Sequence, residues 1–277
     1  MILIADSGST KITWSLVHRD GSVETCRTSG INPFLISKEG IVRLVKSEFT
    51  LSGKGLSVIW FYGTGALPEK IPMLKEAFSL CFDARRIEVN SDLLAAARSL
   101  CGNSPGMACI LGTGSNSCFY DGKMIVKNVA PLGYLLGDEG GGAYIGRKLL
   151  SDVFKNQYSE PLRNAFLSEH PVTIAEVLEN VYRKPFPNRY MAQFTGFVAK
   201  HLDFPEMEEL VRTCFADFFR RNLMQYLETS SYPIHFTGSI AFYFRQQLEQ
   251  TAAAFGWTPG KICRDPMQGL IDYHLNS

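Results

Sequence analysis

Residues 1–28 read MILIADSGSTKITWSLVHRDGSVETCRT and residues 107–129 read MACILGTGSNSCFYDGKMIVKNV. In the first stretch the apolar run 1–5 is a short buried strand that enters the turn Asp6-Ser7-Gly8-Ser9-Thr10. A strand over about 12–18 follows, then Asp20-Gly21, then a third strand near 22–28. Asp-Gly between apolar or β-branched runs marks a hairpin, because glycine accepts the positive φ that the turn demands. The second stretch repeats this plan with strand 107–111, turn Gly112-Thr113-Gly114-Ser115-Asn116, strand 117–120, Asp121-Gly122 and strand 123–129. Overlaying the two turns aligns Gly8 with Gly114 and Ser9 with Ser115. The pattern predicts an internal duplication, with two similar α/β domains meeting near residue 104.

Outward from these copies the period changes from two to 3.6. Residues 38–49 place Ile41, Leu44 and Val45 on one helical face; 57–62 is a strand, 68–82 a helix, 86–90 a strand and 92–100 an Ala/Leu-rich helix. After the second copy, helices are expected over 142–154, 174–183 and 189–202, with a long amphipathic one over 206–228. A strand at 234–237, a helix from about 240 to 254 and a short terminal helix complete the pattern; Asp265-Pro266 is read as the N-cap and first position of that last helix.

Composition narrows the function classes. The chain has 277 residues, 28 Lys+Arg against 27 Asp+Glu, and 45% hydrophobic residues. A net charge of +1 argues against a polyanion as the main partner, since neutralising phosphates needs a clear Lys/Arg surplus. No apolar run approaches the ~18–20 residues of a membrane span, and a secretory leader is not expected because Asp6 interrupts the first apolar stretch. Seven cysteines form no CxxC pair, which points to thiols in a reducing cytoplasm rather than a disulfide frame or a zinc site. There is no GxxxxGK[ST] loop and no HExxH. The GxG tripeptides Gly63–Gly65 and Gly112–Gly114 are followed by Pro68 and Ser117 where a dinucleotide fingerprint needs a third Gly or Ala.

Chemistry then falls to Gly, Ser and Asp. A strand that breaks into a Gly/Ser/Thr turn presents several backbone N–H groups at one point and binds an anion without net charge; two such turns from duplicated domains suit a triphosphate. Asp6, at the end of the first strand, is placed to hold Mg²⁺, a hard cation that takes oxygen ligands, and Lys11 is either a phosphate neutraliser or a solvated charge. Asp92 stands between a strand and a helix, at the edge where open α/β sheets place ligands. It is either a general base for a substrate hydroxyl or an ordinary helix cap, a job that Ser91 or Asn90 does equally well. Gly137-Asp138-Glu139-Gly140-Gly141-Gly142 is the densest glycine segment, and its acids accept hydrogen bonds from a polyol or favour the start of the next helix. Asn32 in Gly30-Ile31-Asn32-Pro33 is a turn residue or a sugar contact, and Gly238-Ser239 is a cap or a nucleotide contact.

The ordered set DSGSTK, SGINP, YGTGA, NSDLLAAA, ILGTGSNS, LLGDEGGGAYIG and HFTGSIA resembles the BadF/BadG/BcrA/BcrD-type ATPases, and more closely their N-acetylglucosamine kinase-like branch, within the actin, sugar-kinase and heat-shock ATPase superfamily. The resemblance spans nearly the whole chain. It implies two ribonuclease H-like (actin-like ATPase) domains with a central cleft, 1–103 plus 266–277 and 104–265, the last helix returning to the first domain. It implies that Asp6, Gly8, Ser9, Thr10 and Lys11 form the first phosphate loop, Gly112, Thr113, Gly114 and Ser115 the second, and Gly238 and Ser239 the adenosine loop. Asp92 would be the general base for a sugar 6-hydroxyl, with Asn32, Thr64, Asp138 and Glu139 beside the sugar. ATP and Mg²⁺ as cofactors and a homodimer follow from the same source. Two departures stand out: the first loop has Ser7 where many members have Gly, and the cysteine cluster of zinc-binding bacterial sugar kinases is missing.

The expected activity is therefore phosphorylation of an amino sugar, most naturally N-acetylglucosamine. The alternatives are an iron–sulfur ATPase that activates a 2-hydroxyacyl-CoA dehydratase, for which Cys101, Cys109 and Cys118 would have to serve although they read as core thiols, and a non-catalytic actin-like ATP-binding protein.

Overall fold

The computed structural model describes residues 1–8 and 11–276, so Ser9 and Thr10 of the expected first phosphate loop lie outside the described residues. The chain divides into two compact units: residues 1–104, 122–124 and 266–277, and residues 105–121 with 125–265.

The first unit opens with β1 (Ile2–Ser7), β2 (Lys11–Val17) and β3 (Val23–Ser29), continues through α1 (Lys38–Glu48), β4 (Val58–Gly63), α2 (Ile71–Ser79) and β5 (Ile87–Ser91), and reaches α3 (Asp92–Cys101). Its sheet has the order β3-β2-β1-β4-β5. β1 runs antiparallel to β2 and parallel to β4, which is parallel to β5. Alternation along the strands sorts side chains to two faces. Leu3, Ala5, Ile12, Trp14, Ile59, Phe61 and Val89 join Ile41, Val45, Leu74 and Phe78 of α1 and α2 in one core. There Trp14 is fully buried, meets the edges of Phe49 and Phe78, and donates its indole N–H to Thr28 Oγ1 at 2.9 Å. The other face carries Ile4, Val17 and Tyr62.

The second unit contains β6 (Gly106–Leu111), β7 (Ser115–Tyr120), β8 (Ile125–Val129), α4 (Gly133–Leu136), α5 (Gly142–Phe154), α6 (Glu160–Glu169), α7 (Ile174–Tyr182), α8 (Pro187–Ala192), α9 (Thr195–Lys200), α10 (Pro205–Arg221), β9 (Ile234–Thr237), α11 (Ser239–Tyr243), α12 (Arg245–Ala254) and β10 (Pro259–Cys263). Its sheet order is β10-β9-β6-β7-β8. With β6 set over β1, both the order and the senses of pairing repeat those of the first sheet, so the duplication seen in the two turns extends to all five strands.

The final helix, α13 (Met267–Leu275), belongs to the first unit and packs on α3 and β1. Met267, Leu270 and Ile271 enter the core with Ile4, Val17, Tyr62 and Ala95. A Cβ on Gly269 would stand 2.4 Å from the Ser99 carbonyl oxygen, so this crossing needs glycine. Next to it Tyr62 Oη accepts from Arg98 Nη1 at 2.8 Å and lies 2.8 Å from His274 Nε2, and His274 stacks on Trp60 with ring centroids 4.3 Å apart.

Several elements differ from the sequence expectation. The helix expected over 206–228 stops at Arg221 and continues as two 3-10 turns, Leu223–Gln225 and Leu227–Ser230. The helix expected over 189–202 is two, broken at Gln193-Phe194, and that over 240–254 is broken at Phe244. Pro266, not Asp265, occupies the cap position of α13. α4, α6 and β10 are additions. All seven cysteines are free thiols; Cys109 and Cys118 are buried and Cys101 is half-buried. Among the described residues no helix is long and apolar enough to cross a membrane.

Candidate active-site residues in the two units

In the first unit, Ser7, Gly63 and Ser91 stand in register at the carboxyl ends of three adjacent parallel strands. The residues that follow them, Gly8, Thr64 and Asp92, therefore emerge at one edge of the sheet. The Thr64 N–H donates to the Ser7 carbonyl at 3.1 Å, and its hydroxyl donates to Asp92 Oδ2 at 2.7 Å. Asp92 Oδ1 accepts the Leu93 N–H at 2.9 Å. The helix cap is Ser91, whose hydroxyl accepts the Leu94 N–H at 3.2 Å, so the cap role that competed for Asp92 is filled by its neighbour. Burial pushes the Asp92 carboxyl above the usual carboxylate range, opposed by the Thr64 hydroxyl and by backbone N–H groups. A carboxylate raised in this way is a stronger proton acceptor than a solvated one.

Asn32 lies in the loop that packs against this corner. Its Oδ1 accepts the Phe34 N–H at 3.1 Å and its carbonyl the Leu35 N–H at 2.9 Å, which folds Asn32–Phe34 into a tight turn. That turn rests on Gly65, which has φ +77°; a Cβ there would stand 3.3 Å from Pro33 and 3.4 Å from the Phe34 ring. Asn32 and Thr64, from two loops, and Asp92, from the start of α3, thus come to one corner of this unit, and the Asn32 side-chain NH₂ has no partner among the described residues.

On the opposite sheet face Asp6 is half-buried and stands in register between Thr13 and Tyr62. The Gly8 N–H donates to the Lys11 carbonyl at 3.1 Å, and Lys11 is exposed. Among the described residues no group of three or more His, Cys, Asp or Glu is arranged to hold a metal. A single carboxylate fits a cation such as Mg²⁺ that takes most of its ligands from phosphate and water, and does not fit an all-protein metal cage.

The second unit gathers its candidates around the β6–β7 turn. The Gly112 N–H donates to the Gly114 carbonyl at 2.9 Å, while the Gly112 and Thr113 carbonyls accept the Gly142 and Ala143 N–H groups at 2.8 Å, so the turn is stitched to the start of α5. The N–H groups of Thr113 and Gly114 engage nothing among the described residues and form the open nest. A Cβ on Gly141 would stand 2.7 Å from the Gly114 carbonyl carbon. Gly238, with φ +119°, lies on the strand end before this turn, where a Cβ would stand 2.2 Å from the Leu111 carbonyl oxygen. Gly238 and Ser239 therefore neighbour the Gly112–Ser115 turn.

Asp138 and Glu139 face different partners. Asp138 has φ 55°, and its Oδ1 accepts the Ser115 N–H at 3.3 Å; a Cβ on Gly114 would stand 2.6 Å from its Oδ2. Its pKa is pushed up to about 6, first by burial and then by the charge of Glu139, against the Ser115 N–H. Glu139 is 5% exposed and pairs instead with Arg221 Nε at 2.5 Å and Asn222 Nδ2 at 3.3 Å.

No family model matches the chain, and no curated protein does. Among solved structures it is similar to a candidate N-acetylglucosamine kinase of Porphyromonas gingivalis, with 47% identity over 100% of this chain and 99% of that one and a TM-score of 0.96. The chain belongs to the N-acetylglucosamine kinase-like family. Two more distant likenesses concern the fold of this N-acetylglucosamine kinase-like chain alone. A candidate N-acetylglucosamine kinase of Chromobacterium violaceum has 18% identity, 98% coverage of both chains and a TM-score of 0.72. A ROK family glucokinase of Streptomyces griseus, solved with glucose and AMPPNP, has 14% identity, 99% coverage of both chains and a TM-score of 0.55.

Three features of this family member escape sequence reading. The Thr64–Asp92 bond joins residues 28 apart, and the Asn222–Glu139 bond residues 83 apart. Asn90, in register with Tyr62, has a buried Nδ2 with no partner among the described residues. Asn90 stands two positions before Asp92 in a strand that also carries Glu88 and Ser91, so its polarity gave no signal of its own.

Proposed function

We propose that this protein transfers the γ-phosphoryl group of ATP to the 6-hydroxyl of an amino sugar, with N-acetylglucosamine as the leading substrate. The observation that carries the reading is the Asp92 carboxylate, raised by burial and held by Thr64 and Leu93 at the carboxyl edge of parallel strands; the 47% identity over the full length of a candidate N-acetylglucosamine kinase supports it. Asp92 takes the proton from the sugar hydroxyl as its oxygen bonds to the γ-phosphorus, and the bond to the departing ADP breaks. Thr64 fixes one carboxylate oxygen, leaving its second lone pair for that proton. Asn32 and Asp138 orient the sugar. The Thr113 and Gly114 N–H groups receive phosphate oxygens, as do Gly8, Ser9, Thr10 and Lys11 in the first loop, and Gly238-Ser239 receives the adenosine.

Asp6 would hold Mg²⁺, whose positive charge offsets that of the phosphates when bound. This reading requires one nucleotide and one sugar to be shared by the two half-sites across a central cleft, in a cytoplasmic homodimer that binds neither nucleic acid nor membrane. The test is ADP release over a panel of N-acetylglucosamine, glucosamine, N-acetylmuramic acid, N-acetylmannosamine and glucose. Asp92→Asn is expected to keep ATP and sugar binding and to lose ~10²–10⁴ in kcat. Unchanged turnover in that variant, or ATP hydrolysis independent of every sugar, refutes the proposal.

A further inference from the structure

Glu139 is a buried acid beside the candidate sugar contact, and its partners lie on another element. Arg221 ends α10 and Asn222 follows it. α10 is anchored by Met207, Leu210, Val211, Cys214, Phe215, Phe218 and Phe219, all buried in the largest core cluster. The glycine loop lies directly on this helix, since a Cβ at Gly140 would meet Phe218 Cβ at 3.0 Å. Asp138 itself sits at φ 55°, a conformation that costs an L-residue energy and persists only where its surroundings impose it. Its backbone is tied on both sides, N–H to the Pro131 carbonyl at 2.9 Å and carbonyl from the Gly141 N–H at 3.0 Å.

We propose that Arg221 and Asn222 are positioning residues for the acceptor sugar: by gripping Glu139 they fix the 137–141 loop on α10, so that Asp138 is held over the Gly114–Ser115 turn. Glu139 acts through that grip and does not touch the sugar. The proposal rests on the kinase reading for its substrate, and on unit-internal geometry for the grip. Both Glu139 oxygens are engaged, one by each partner. A surface depression of about 630 Å³ is walled by Gly137, Glu139, Arg220, Arg221, Asn222 and Gln225 among others, and Asp138 does not line it. Neighbours in sequence thus serve different surroundings, Glu139 the depression and α10, Asp138 the phosphate turn. Losing Arg221 leaves a buried carboxylate without its charge partner, which is more disruptive than removing both groups together.

The test is a double-mutant cycle on the full-length protein, with kinetics against sugar and ATP separately and hydrogen exchange in parallel. Arg221→Met and Glu139→Gln are each expected to raise the sugar KM roughly tenfold, with kcat and the ATP KM within about threefold of the parent. The double variant should be no worse than Arg221→Met alone, and Arg221→Lys should restore most of the loss. In Arg221→Met, amides of residues 131–142 should exchange faster while those of 107–111 stay protected. Strictly additive losses, or a Glu139→Gln variant crippled in kcat beside a near-normal Arg221→Met, would overturn the grip and make Glu139 a direct contact. Unchanged exchange over 131–142 would also overturn it. Faster exchange in a protein that phosphorylates no sugar would instead defeat the kinase reading and leave the grip standing.

Discussion

Replacing Thr64 with valine removes one hydroxyl and keeps the side chain's shape. In the parent that hydroxyl donates to Asp92 Oδ2 at 2.7 Å and stabilises the ionised carboxylate against its burial. A hydrogen bond to a charged group is worth about 1.5–3 kcal/mol. Its loss falls almost wholly on the charged form, so the Asp92 pKa rises. At 1.36 kcal/mol per pH unit, the acid limb of kcat moves up by about one to two pH units, and the rate at a fixed pH below the limb drops roughly ten- to hundredfold. Above the limb Asp92 is ionised again, still oriented by the Leu93 N–H, and the plateau should stay within about threefold of the parent. Thr64→Ser keeps the donor and should behave as the parent does. The assay is ADP release at saturating ATP and sugar from pH 5 to 9, with Asp92→Asn as a background in which Thr64→Val should change nothing further. A uniform loss at every pH with an unmoved limb would refute the reasoning and assign the hydroxyl to the sugar.

The remaining predictions concern stability. Gly238→Ala combines φ +119° with a Cβ 2.2 Å from the Leu111 carbonyl oxygen, so it should destabilise the protein by at least about 1–3 kcal/mol; Gly196→Ala, where a Cβ meets nothing within 4 Å, should be neutral or better, and equal melting of the two by calorimetry would contradict this. His274 is pushed down to about 4 by burial and then by the charge of Arg98, so it is neutral in the folded chain over a range where a free histidine is protonated. Its contribution to stability is therefore complete above about pH 6.5 and is lost as pH falls from there toward 4. His274→Gln should flatten that part of the stability profile, measured as denaturant midpoints at pH 7.5 and 4.5, and identical slopes would argue against it.

Much of this architecture is local and so was legible in the sequence. The two strand–turn–strand–Asp-Gly units advertise themselves because glycine and hydroxyl residues sit where the chain must reverse, and both turns came out where the pattern put them as far as the described residues extend. The fifth strand of the second sheet was not legible: Pro259–Cys263 is short, begins with Pro-Gly and buries only Ile262, so it lacks any apolar alternation. The end of α10 was misread for a different reason. Leu223 and Leu227 continue the helical period, yet the backbone turns at Asn222, whose side chain is committed to Glu139. The candidate site divides in the same way. Gly114, Glu139 and Asp92 stand out by their neighbours in sequence, whereas the partner that holds each acid, Arg221 for Glu139 and Thr64 for Asp92, is set by tertiary contact alone and leaves no trace in spacing.

The return of α13 to the first unit has a consequence for how the protein is made. Met267, Leu270 and Ile271 complete a core whose other buried members, Ile4, Val17, Tyr62 and Ala95, are all synthesised before the second unit. Throughout synthesis of the second unit that apolar face waits uncovered, although the opposite core around Trp14 is already closable. The nascent chain thus carries a half-finished lobe until α13 arrives, and the order of birth of the two lobes is the reverse of their order of completion.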